Sequence, residues 1–221
     1  MAERVSLLSS CIINEPELAA QASYVFAHGA GAPMDSKFMQ TMAQHLAAAG
    51  VRVIRFEFPY MLERRITGKR RPPNRQPELL DCFRALLQTV RTRYSEPVFI
   101  GGKSMGGRMA TLLSKELPGD VVGVICFGYP FHPQAKPEKL RTEHLLDMTM
   151  PTMILQGTRD ALGNIDEVAG YGLSEAVEVS WLKDGDHDLK PRVKSGFTQS
   201  QHLQTAAKRA VQFITEQIIT A

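Results

Sequence analysis

No stretch of this sequence stays apolar for anything near the ~20 residues that cross a bilayer, so no membrane span is expected. The amino-terminal MAERVSLLSSCIINEPELAA lacks the long apolar core of a secretory signal. Both absences point to a cytoplasmic protein that does not associate with membranes. Cysteine is scarce: Cys11, Cys82 and Cys126 are odd in number and widely spaced, and none falls in a C-x-x-C. Neither a disulfide framework nor a cysteine zinc site is supported, and the thiols read as buried or spare. Internal repeats, low-complexity tracts and interdomain linkers are missing too, so residues 1–221 are read as one domain with a sizeable core. A global charge excess is also lacking. The net charge is +3, yet Arg64, Arg65, Lys69, Arg70, Arg71 and Arg75 against the single acid Glu63 carry +5 between Tyr60 and Gln76. The remainder is slightly acidic, so no nucleic-acid partner is expected, and one basic loop needs its own explanation.

What is present is alternation. ASYVFA, VRVIRF, PVFIGG, VVGVICF, PTMILQG and VEVSWL are apolar, strand-length runs, each ending in a loop. Between them lie helical patterns. DSKFMQTMAQHLAAAG has a cap at Asp35 or Ser36, an apolar face of Phe38, Met39, Met42 and Leu46, and a stop at Gly50. PELLDCFRALLQTVRTRY opens at Pro77 and buries Leu80, Phe83, Leu86, Leu87 and Val90. SMGGRMATLLSKEL closes near Pro118 and Gly119; NIDEVAGYGLSE is helix-like; SQHLQTAAKRAVQFITEQIIT is a long amphipathic helix. Pro59 is read as the stop of the strand before it. Such alternation with fully apolar strands implies an α/β protein with a mostly parallel central sheet and helices on both faces. Sites in these sheets lie in loops beyond the carboxyl ends of the strands.

One turn of FIGGKSMGGRMA admits two readings. A phosphate loop ending in Gly102, Lys103 and Ser104 needs a glycine at 97, where the chain has Pro97, and the positions between belong to a strand. A dinucleotide fingerprint fails as well, because Gly29 and Gly31 are followed by Met34 where a glycine belongs. The surviving reading is G-x-S-x-G between a strand and a helix, which presents Ser104 as a nucleophile on a sharp turn crowded enough to need glycine neighbours. A glycine-rich turn made only for close packing is the plainer reading, and partners decide between them.

A serine needs a base, and the base needs an acid to fix its tautomer. On such a sheet the chain order is serine, acid, histidine. Asp160 follows the strand in PTMILQGTRDALG and His187 follows the strand in VEVSWLKDGDHDLK, so Ser104, Asp160 and His187 fit. Asp186 and Asp188 adjoin His187, but sequence neighbours point away from the ring or must bend back to it. Asp166, His45, His202 and His144 fall on expected helices. His132 follows a strand and is placed at the pocket. For an oxyanion, the N–H of Met105 is one donor and FAHGAGA supplies the other from Ala30, with Gly29 as the fallback. His28 is read as bracing that loop.

HGAGAPMDSKFM, GKRRPPNRQPELL, GGKSMGGRMA, GYPFHPQAKPEKLRTEHL, LQGTRDALG and DGDHDLK together resemble the small α/β-hydrolase family related to dienelactone hydrolases. Its bacterial members are mostly uncharacterised, and its eukaryotic relatives include a testis-expressed protein and a chromatin acetyltransferase-complex subunit. The resemblance runs from about Val25 to the last helix. It implies an α/β-hydrolase fold with nucleophile, acid and base at Ser104, Asp160 and His187. Dienelactone hydrolases use a cysteine where this chain has Ser104. The RRPP segment also matches. It is read as a solvated loop stiffened by Pro72 and Pro73, as a rim where Arg70 and Arg71 hold an anionic group, or as a surface for an acidic partner. Gly128 to Met150 is short for a lid, so a small cap is expected, including a helical EKLRTEHLL, with Tyr129 and Phe131 as an apolar pocket wall. The expected activity is hydrolysis of a small ester or thioester with no metal or cofactor. A peptidase or amidase with the same residues and a non-catalytic scaffold are the rivals.

Overall fold

A computed structural model of the chain describes residues 7–117, 119 and 121–220. Pro118 and the first six residues of the amino-terminal stretch read above lie outside them. The strands are β1 (Ile12–Asn14), β2 (Ala22–Ala27), β3 (Val51–Phe56), β4 (Val98–Lys103), β5 (Gly123–Phe127), β6 (Thr152–Gly157) and β7 (Val177–Leu182). They form one sheet in the order β1-β3-β2-β4-β5-β6-β7. Every pairing is parallel except β1 with β3, where Ile13 sits opposite Ile54. This is the α/β-hydrolase fold.

The helices are α1 (Lys37–Ala48), α2 (Pro59–Thr67), α3 (Gln76–Arg93), α4 (Met105–Ser114), α5 (Ile165–Val168) and α6 (Gln199–Thr220). Because alternate strand residues point to opposite faces, each parallel strand feeds two cores. Val25, Ile54, Ile100 and Val124 pack with Phe83 and Leu87 of α3 and Leu113 of α4. Tyr24, Val53, Phe99 and Ile125 pack with Met42 and Leu46 of α1 and Ala210 and Phe213 of α6. Helices therefore cover both faces, as the apolar strands require. Among the described residues, no helix is long and apolar enough to cross a membrane.

Four local readings are corrected. Pro59 does more than stop a strand: it opens α2, whose end is fixed by Gly68 in the left-handed region at φ 70 with its N–H donated to the Arg64 carbonyl. Half of the expected basic loop is therefore helical. The cap holds no EKLRTEHLL helix, only a 3₁₀ turn at Glu143–Leu145. The backbone N–H of Arg141 is donated to the Phe131 carbonyl at 2.7 Å, a tertiary bond that a continuing helix would forbid. The NIDEVAGYGLSE pattern yields only four helical residues, capped by Asn164 with Glu167 and halted before Gly172, which has φ 62. Finally, α4 ends at Ser114, before the expected Pro118–Gly119 stop.

Candidate active site

The turn between β4 and α4 holds Ser104 at φ 52 and ψ −116, a conformation that costs energy for a side-chain-bearing residue. Its neighbours explain why the turn tolerates nothing larger than glycine. A Cβ on Gly102 would stand 2.5 Å from the Gly106 carbonyl carbon, and one on Gly106 would stand 2.5 Å from the Ala27 oxygen. The turn is thus pressed against the end of β2. Ser104 is half-buried, and α4 starts directly after it, so the positive end of that helix lies at the serine.

The loops after β6 and β7 converge on the same turn. His187 Nε2 lies 2.8 Å from Ser104 Oγ, and His187 Nδ1 lies 2.8 Å from Asp160 Oδ2. With Asp160 ionised, Nδ1 carries the proton and donates to it, which leaves Nε2 to accept from the serine hydroxyl. Asp160 is fully buried, a position that demands hydrogen bonds. The Leu162 N–H donates to Oδ1 at 2.8 Å, and Gln156 Nε2 donates to Oδ2 at 2.8 Å. Gln156, also fully buried, accepts from the Tyr129 N–H at 2.7 Å, so it ties the acid to the loop after β5. Sequence reasoning missed Gln156, because a lone glutamine at a strand end carries no signal of its own.

Lys103 is the variable residue of the G-x-S-x-G turn. Its Nζ donates to the His187 carbonyl at 2.7 Å and lies 3.2 Å from Asp188 Oδ1, 5.4 Å from the centre of the Phe38 ring. Burial pushes its pKa below the ordinary lysine value, while Asp188 opposes the shift. The serine turn thus holds the histidine loop through this side chain. Asp186 and Asp188 do not contact the His187 ring: Asp186 Oδ1 accepts the N–H groups of Asp188 and Lys190 at 2.9 Å.

His28 is buried between two loops. The Phe58 N–H donates to its Nε2 at 3.1 Å, so the ring proton sits on Nδ1 and is donated to the Gly29 carbonyl at 2.7 Å. This arrangement is the expected brace, and burial holds the ring below the usual histidine pKa of 6.5. The braced loop puts Gly29 beside Ser104, 3.6 Å from its Cβ to the position a Gly29 Cβ would take. Ala30 and Met105 border a cleft of about 320 Å³ that also contains Ser104.

Other candidates lie elsewhere. Tyr129 and Phe131 are fully buried and do not wall the cleft; they pack on each other with ring centres 4.8 Å apart. His132 is buried too, with Nδ1 3.0 Å from the Pro133 carbonyl and Nε2 3.4 Å from Glu167, away from the cleft. Arg70 and Arg71 do not line it either, and Arg71 pairs with Glu63 at 2.7 Å. The RRPP segment reaches the cleft through Pro73 and Asn74, and the arginines at the cleft are Arg108 and Arg141. Both stand in the segments first quoted, but nothing in their local pattern shows that they converge. His202 holds the Leu189 carbonyl at 2.9 Å, and His144 lies 2.9 Å from the Thr111 hydroxyl. Among the described residues, no group of three or more His, Cys, Asp or Glu side chains is placed to hold a metal ion.

Comparison with known proteins agrees with this architecture. Residues 20–215 match the family model of an alpha/beta hydrolase domain. A dienelactone hydrolase from Anabaena variabilis is similar in structure, with a TM-score of 0.70 at 20% identity over 93% of this chain and 90% of that one. An α/β serine hydrolase without lid from Xanthomonas campestris gives 0.67 at 18% identity over 90% and 88%. An esterase from Pyrococcus furiosus gives 0.67 at 14% identity over 89% and 82%. At these identities the likeness is one of fold.

Proposed function

The chain belongs to the alpha/beta hydrolase domain family, and from that premise we propose that it is a serine hydrolase cleaving a small carboxylic ester or thioester. The observation that carries this reading is the unbroken relay from Ser104 through His187 to Asp160, both links at 2.8 Å, opening on a cleft. His187 Nε2 takes the hydroxyl proton as Ser104 Oγ attacks the carbonyl. Asp160 holds the imidazole in its tautomer and stabilises the imidazolium that forms. The N–H groups of Ala30 and Met105 receive the oxyanion, helped by the start of α4. His187 then protonates the leaving oxygen or sulfur. Water, activated by the same nitrogen, releases the acid from the acyl-enzyme.

A relay within hydrogen-bond distance weighs against the scaffold reading, which has no use for it. The test is a fluorophosphonate probe with a panel of short 4-nitrophenyl esters and acyl thioesters. Wild type is expected to be labelled and to turn over at least one class. Ser104→Ala is expected to lose labelling and to fall by several orders of magnitude in kcat, as loss of a triad nucleophile does. Equal labelling of the two proteins would sink the proposal.

A further inference from the structure

The arginines at the cleft lack the acidic partners that several arginines elsewhere have. Arg65 is paired with Asp35 and Glu57, Arg84 with Asp81 and Glu116, Arg192 with Asp184, and Arg71 with Glu63. Among the described residues, Arg108 and Arg141 have no acid within ion-pair distance. Arg108 donates through Nη2 to Gln76 at 3.2 Å, while its Nε is buried without a partner. Arg141 is pushed below the ordinary arginine pKa by burial and by the Arg108 charge, with no carboxylate to offset them. Holding two like charges together, partly out of water, costs energy that an anion between them would recover.

The backbone of Arg141 is fixed for this placement. Its N–H is bound by Phe131 at 2.7 Å and its carbonyl accepts from the Tyr129 hydroxyl at 3.0 Å. Arg108 is one helical turn beyond the serine, its N–H donated to the Ser104 carbonyl at 3.1 Å. One turn advances about 5.4 Å, so a group held by Arg108 lies near the attacked carbonyl. Gln76, Arg108 and Arg141 also border an adjoining cleft, so the pair stands where the two meet.

We propose that Arg108 and Arg141 form an anion subsite of the Ser104 cleft, and that the substrate is a short ester or thioester bearing a carboxylate or phosphate within a few bonds of the scissile carbonyl. The inference rests on the hydrolase reading above. It moves the anion-holding role from Arg70 and Arg71 to two arginines whose forked donors suit such groups.

The experiment compares matched esters. Mono-4-nitrophenyl succinate against 4-nitrophenyl butyrate places the charge on the acyl side. 4-Acetoxybenzoate against 4-acetoxybenzamide places it on the leaving side. In wild type, kcat/KM for the anionic member of one pair is expected to exceed the neutral one about tenfold, the value of a charge-assisted hydrogen bond. In Arg141→Gln and Arg108→Gln that ratio is expected to fall to about one, and Arg141→Lys to retain part of it. A ratio near one in wild type for both pairs, or a preference that survives both glutamine variants, would overturn the subsite. If Ser104 proves unreactive, the hydrolase reading fails separately. Calorimetric titration of succinate and of inorganic phosphate into Ser104→Ala then reads the subsite without chemistry and tells the two anions apart. Binding lost in Ser104→Ala with Arg141→Gln supports it, and no binding of either anion, or binding unchanged by Arg141→Gln, refutes it.

Discussion

Lys103 shows how much one side chain does that its position in a motif hides. By neighbour count it is the interchangeable residue of G-x-S-x-G, but its ammonium holds the His187 carbonyl and faces Asp188. Lys103→Met keeps the buried stem and removes the charge and the donor. It is expected to lower kcat about tenfold with little change in KM, because a loosened base loses alignment that matters most in the transition state. An unchanged kcat with a reduced melting temperature would mean that Lys103 only supports folding. Gln156 and Arg141 belong to the same class of residue. Their roles come from where strand β6 and the loop after β5 bring them, and no spacing along the chain encodes that.

At the scale of elements, the loops after β2 and β3 are joined by one neutral imidazole. His28 accepts from Phe58 and donates to Gly29, so protonating Nε2 breaks the first bond inside a buried site. Its folded pKa lies below the ordinary 6.5, so its contribution to stability is complete above that value. It is lost as pH falls through 6.5 toward the lowered folded value. Melting temperatures measured from pH 7.5 to 5 are expected to decline in wild type. The decline is expected to be shallower in His28→Gln, whose amide offers one donor and one acceptor but does not titrate. Equal slopes in both would place the acid sensitivity elsewhere. Element boundaries were the least legible part of the sequence. Pro59 and Gly68 bracket a helix at its two favoured positions, but the charges between them mask the small buried face of Tyr60 and Met61. The cap sequence has helix-favouring residues that a single bond from Arg141 to Phe131 overrides.

Across the whole molecule, strands β2 to β6 were legible because each is apolar enough to be buried on both faces, and β7, with Glu178 exposed at the sheet edge, from its Val177, Val179, Trp181 and Leu182. The antiparallel β1 was not, since three half-buried residues acquire strand character only by pairing with β3. The relay was legible for a related reason. Parallel topology puts every β–α turn at one end of the sheet, so residues distant in sequence needed only the right strand to meet. The face opposite the serine helix depends on α6, where Phe213 meets Phe99 with ring centres 6.3 Å apart. Phe213→Ala is expected to destabilise the fold by about 3–5 kcal/mol, read as a lower urea midpoint. A change under about 1 kcal/mol would mean that α6 covers the sheet without contributing to its core, unlike the usual buried aromatic.

The two glycines that flank the serine turn have a consequence for how this gene would respond to random mutation. Each position is filled by a neighbour's backbone, so every replacement is unwelcome there, whatever its chemistry. In a mutational scan scored by activity, Gly102 and Gly106 would be as intolerant as Ser104 and would look catalytic. Scored by soluble abundance they would part company: the glycine variants drop out, and Ser104→Ala, relieved of nothing but a hydroxyl, stays.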